Sequence, residues 1–70
     1  MGSHILTREL LVEEWNRVVS VGDDVFLRLD DGRDVATRTA SAARVLGGHS
    51  AVVWLEGFSG CWALDRVRSR

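Results

Sequence analysis

Cys61 and His49 are the side chains with the clearest potential for chemistry in this 70-residue chain, as a nucleophile and its base or as soft metal ligands. A cysteine nucleophile needs an adjacent imidazole, itself oriented by a third group. Asp65 is available for that third role, but nothing in the spacing of positions 49, 61 and 65 requires it. Two soft ligands also fall short of the four that a closed zinc site uses, so a metal would have to be shared across an oligomer axis. Gly47-Gly48 lacks the further glycines and the lysine of a phosphate-cradling loop. The expectation is a protein that is not an enzyme and uses no cofactor or metal. His49 then reads as a polar turn residue and Cys61 as a small buried apolar one.

The stronger signal is a strand at residues 51–56 that is apolar on both faces. Val53 and Leu55 point one way, Val52 and Trp54 the other. A two-layer domain makes only one face of such a strand its core. The other face must meet either the N-terminal helix or another chain, and tryptophan is enriched among interface hot spots. The candidate binding residues are Val52, Trp54, Arg38, Arg44, His49 and Trp62.

Charge bears on the alternative partner. The nine basic residues are all arginine, as a GC-rich genome would produce, and the net charge is −1. No global pull toward nucleic acid or acidic membranes results. Arg44, Arg66, Arg68 and Arg70 could still cluster, with Trp62 or Phe58 stacking a base. The acidic helix and the absence of a long basic run weigh against that reading. The single cysteine excludes an internal disulfide framework and suits a reducing cytoplasm. No apolar run approaches the roughly 20 residues of a transmembrane helix, and no signal peptide is visible. Met1-Gly2-Ser3-His4 reads as an expression-tag remnant, leaving residues 5–70 as one domain.

The elements that must position these residues follow from patterning. Residues 8–20 read as a helix with Thr7 as N-cap and Leu6 and Leu11 as a hydrophobic staple. Leu11, Trp15, Val18 and Val19 form its apolar stripe, with Glu13, Glu14, Asn16 and Arg17 opposite. Glu13 and Arg17 are spaced to pair. Residues 24–38 read as a β-hairpin. With Gly32 left-handed in a three-residue loop, Leu29 faces Arg33, Leu27 faces Val35 and Val25 faces Thr37. Arg28 then pairs with Asp34, and Asp24 with Arg38, on the outer face. Residues 41–46 fit either a strand or one helical turn capped by Ser41. Phe58-Ser59 between two glycines reads as a tight hairpin loop, residues 61–64 as the returning strand, and 64–67 as a turn with a last strand piece. Ser69-Arg70 is expected to fray.

The fold class is therefore α+β and mainly β: an N-terminal helix, then a small strongly bent antiparallel sheet or SH3-like barrel of four to five strands. Trp15-Asn16, Val21-Gly22, Thr37-Arg38-Thr39, Leu46-Gly47-Gly48-His49, Val52-Val53, Glu56-Gly57, Gly60 and Ala63-Leu64 resemble a group of short bacterial proteins. These are encoded in actinobacterial genomes and in prophage-like or other mobile regions. The resemblance spans about residues 15–67. It implies a mobile-element context and no particular chemistry. Ala40-Ser41 departs from it, where a proline is expected. A weaker likeness, to plasmid-borne dihydrofolate reductases, rests on Ala63-Leu64-Asp65-Arg66-Val67 and lacks their Val-Gln-Ile-Tyr active-site run.

The expected function is a cytoplasmic, non-catalytic protein-interaction module of a bacterial mobile element. It would present the Trp54 face to a second copy, as a homodimer or higher oligomer, or to a host or phage protein. A small SH3-like nucleic-acid-binding module is the alternative.

Overall fold

The computed structural model describes residues 7–70, and for Thr7 the backbone alone. The tag-like residues, the Thr7 cap and the Leu6–Leu11 staple lie outside what is described. Helix α1 (Thr7–Val18) is followed by strands β1 (Asp24–Arg28), β2 (Asp34–Arg38), β3 (Arg44–Leu46), β4 (Ser50–Trp54) and β5 (Cys61–Ala63). A 3-10 turn (Leu64–Arg66) leads into β6 (Val67–Ser69). The fold is α+β and mainly β, as expected, with six short strands rather than four or five. They form two three-stranded antiparallel sheets, ordered β2-β1-β6 and β3-β4-β5. A single bridge, Thr39 to Leu55, joins the sheets, and they do not close into a barrel.

The extra strand arises at the 3-10 turn. It breaks the last extended run so that Cys61–Ala63 pairs with β4 while Val67–Ser69 crosses to β1. Ser69 pairs with Val25 and the Arg70 amide donates to the Asp24 carbonyl, so the chain end is held rather than frayed. Residues 41–43 are neither strand nor helix, and only Arg44–Leu46 pairs as β3.

The first hairpin takes the register that cross-strand chemistry favours. Asp24 faces Arg38, Val25 Thr37, Leu27 Val35 and Arg28 Asp34. Gly32 lies at φ +88°, and the Leu29 amide donates to the Arg33 carbonyl across the three-residue loop. The second hairpin is looser than its glycines suggest. Trp54 faces Cys61, leaving residues 55–60 as the loop, because Leu55 is drawn toward Thr39 instead.

The core gathers Val25 and Leu27 from β1, Val53 and Leu55 from β4 and its end, Leu64, Val67, Ala43 and Val19. Each such aliphatic contributes about 1.5–3 kcal/mol on burial. Helix α1 closes this core with Val12 and Trp15, and Val19 just past its end joins them. Leu11 and Val18 are instead 50% and 67% exposed. The apolar stripe is thus rotated from the expected one, because Asn16 faces the sheet: its side-chain amide holds both backbone groups of Ala43. Arg17 pairs with Glu14 at 3.0 Å, not with Glu13. No helix among the described residues is long and apolar enough to cross a membrane.

Candidate functional site

The two faces of β4 have different fates. Val53 and Leu55 enter the core together with α1. The helix therefore covers that side and leaves the Val52–Trp54 side of the β3-β4-β5 sheet outside. Cross-strand pairing sets Arg44 and Ala63 beside Val52, and Cys61 beside Trp54, on this outer face.

Trp54 is held firmly there. Its carbonyl accepts from the Ala40 amide at 2.8 Å, and its own amide donates to Ser41 Oγ at 3.4 Å. Ser41 thus supports Trp54 rather than capping a helical turn. The half-buried indole carries the Arg44 guanidinium 6.0 Å from its ring centroid, within cation–π range. Ser41, Ala42, Ala43, Arg44 and Trp54 line an open hollow of about 550 Å³.

The other candidates separate from this patch. Val52 is only 4% exposed, so a partner would meet little of it. Arg38 belongs to the first sheet, bound to Asp24 at 3.3 Å. His49 is exposed in the β3–β4 turn. Trp62 lies on the inner side of its sheet, opposite Val53 and packed against the core, with Phe58 edge-on at 5.8 Å. Trp62 is a core side chain because odd and even positions of β5 alternate between faces.

Cys61 and His49 are not brought together. His49 precedes β4 and Cys61 pairs with its last residue, so the strand separates them by roughly 13 Å. Cys61 is half-buried and its sulfur is a free thiol. Among the described residues, no group of three or more potential metal ligands comes together.

Two features lay beyond sequence reasoning. The first is a groove of about 320 Å³ between α1 and the chain end, lined by Leu11, Trp15, Val18, Val19, Leu64 and Val67. The second is the outer face of the β2-β1-β6 sheet. Phe26 sits at its centre, with Arg68 opposite on β6. The guanidinium carbons of Arg68 and Arg70 stand 5.5 and 5.0 Å from the ring centroid. Asp34 receives Arg28 at 3.1 Å and Arg68 at 2.7 Å, while Asp24 receives Arg38 at 3.3 Å and Arg70 at 3.8 Å. The hydrogen bond from Arg28 holds the Asp34 carboxyl below its ordinary pKa against a partial loss of water, and the charges of Arg28 and Arg68 assist. The alternation Phe26-Arg28 and Asp34-Arg38 is readable in the sequence, but nothing local says that residues 67–69 will pair with β1. Of the arginines expected to cluster, Arg68 and Arg70 do so. Arg44 lies on the other sheet, and Arg66 pairs with Asp30 at 2.6 Å. The aromatic they surround is Phe26, not Trp62 or Phe58. In comparisons with known protein families, curated proteins and solved structures, the chain matches none.

Proposed function

We propose that the chain is a non-catalytic protein-interaction module, at work in the cytoplasm as part of a bacterial mobile element, and that its Trp54 face meets a second copy of itself. The observation that carries this reading is the position of α1. The helix packs on the Val53 side, so Trp54 stays at the surface on a strand whose backbone is fixed at both Ala40 and Ser41. A held, half-exposed indole with a guanidinium beside it is the chemistry of an interface anchor. A chain this small also has a narrow stability margin that self-association would widen. The mobile-element context rests on the sequence resemblance, and the separation of Cys61 from His49 favours a non-catalytic role.

The test is solution mass by light scattering behind a sizing column, for the native chain and for Trp54→Ala. An oligomer that dissociates in the variant supports the reading. An oligomer that survives Trp54→Ala but dissociates with Leu11→Lys and Val18→Lys moves the contact to the helix groove. A native chain that is monomeric at all concentrations rules out self-association and leaves a host or phage protein as the remaining occupant of the face.

A further inference from the structure

The outer face of the β2-β1-β6 sheet concentrates charge in a chain that is otherwise acidic. Arg28, Arg38, Arg68 and Arg70 stand on it against Asp24 and Asp34, while the whole chain carries a net charge of −1. The surplus is organised. Each aspartate receives two arginines, so each triad keeps one unneutralised positive charge and has its guanidiniums oriented. The triads flank Phe26 on opposite sides. Arg70 is further fixed by bonds to the carbonyls of Val25 and Thr37.

From this arrangement we infer that the Phe26 face binds single-stranded nucleic acid, a site separate from the Trp54 face. The two triads supply a phosphate contact on either side. Between them, the half-buried Phe26 ring with the Arg68 and Arg70 guanidiniums beside it offers a sequence-tolerant contact for a base. Arg68 and Arg70 are two residues apart on one strand, about 6.8 Å. A duplex hides its base faces, and this face is a short three-stranded sheet with no helix to enter a groove. Only an unpaired strand uses both the charge and the ring. Arginine suits this role because its planar fork can bind an aspartate through one edge and a phosphate through the other.

The test is fluorescence anisotropy of a labelled oligothymidylate of about 12 nucleotides with the full chain. Contacts to about two phosphates predict a loss of affinity of about sevenfold between about 50 and about 200 mM salt. The paired change Arg68→Gln with Arg70→Gln weakens binding by about tenfold or more and lowers the salt slope by about one to two contacts. Asp34→Asn, which frees two guanidiniums, tightens it. Leu10→Ala, at an exposed position on α1, leaves it unchanged. The circular-dichroism melting curve of each variant confirms that it folds. No binding at about 50 mM salt, binding indifferent to Arg68→Gln with Arg70→Gln and to Asp34→Asn, or a preference for duplex DNA or an acidic polypeptide would each overturn the inference.

Discussion

The side-chain amide of Asn16 closes a pair of hydrogen bonds on the backbone of Ala43, 27 residues further along the chain. Nδ2 donates to the Ala43 carbonyl at 3.0 Å, and Oδ1 accepts from the Ala43 amide at 2.9 Å. This contact pins the helix to the segment that leads into β3 and thereby sets which helix face is core. Asn16→Ala removes both partners of a partly buried amide, with an expected cost of about 1–3 kcal/mol. Urea unfolding checks it, and Asn16→Asp should fail to rescue because it cannot donate to the carbonyl.

Thr39 makes a second clasp just past the C-terminal end of the helix. It is 1% exposed, donates to the Ser20 carbonyl at 3.0 Å and accepts from the Gly22 amide at 2.9 Å. Thr39→Val keeps the shape but removes both hydroxyl bonds; the Ser20 carbonyl keeps the Asp23 amide and the Gly22 amide keeps the Thr39 carbonyl, so the expected cost is about 0.5–1.5 kcal/mol. Thr39→Ser keeps the hydroxyl and should cost less. Thermal melts of the two variants distinguish the hydroxyl from the methyl group.

The two faces of α1 should respond oppositely to substitution. Leu11→Lys and Val18→Lys act on exposed side chains, so the stability of the monomer should stay within about 0.5 kcal/mol. Trp15→Ala opens the core beneath the helix and should cost at least about 2 kcal/mol. Denaturant midpoints at low protein concentration measure both. Equal losses at all three positions would mean the stripe lies where sequence periodicity first puts it.

Acid sensitivity follows from Asp34. Its pKa is lowered in the fold by the Arg28 hydrogen bond and by the nearby guanidinium charges. A carboxyl with a lowered folded pKa adds stability that is complete above its unfolded pKa and is lost as pH falls through the folded one. Melting temperature should therefore decline as pH drops below about 4, and Asp34→Asn should flatten that decline. An unchanged profile in the variant would show that other carboxyls carry the acid response.

Much of the fold is legible in the residues because its signals are local. Asp30-Asp31-Gly32 sets the first hairpin and its register, since Gly32 alone at that point takes φ +88° without strain. The helix read over residues 8–20 forms but ends at Val18, two residues early. What was not legible involves pairs distant in sequence. The stripe of α1 is displaced by Asn16 reaching Ala43, and Trp62 turns inward because the pairing register sets it opposite Val53. The candidate site divides the same way. Trp54 and Arg44 meet because they lie on neighbouring strands of one hairpin, whereas Arg38 is held by Asp24 on the other sheet.

By itself the sequence determined the element types, the first hairpin and the presence of a β4 strand that is apolar on both faces, because alternation and turn chemistry act between residues a few positions apart. Only the tertiary structure decided which face of β4 the helix covers and that residues 67–69 pair with β1. It alone placed Arg68 and Arg70 over Phe26. Those outcomes are set by burying the most apolar surface while satisfying buried backbone groups, a balance taken over the whole chain at once and written in no local pattern.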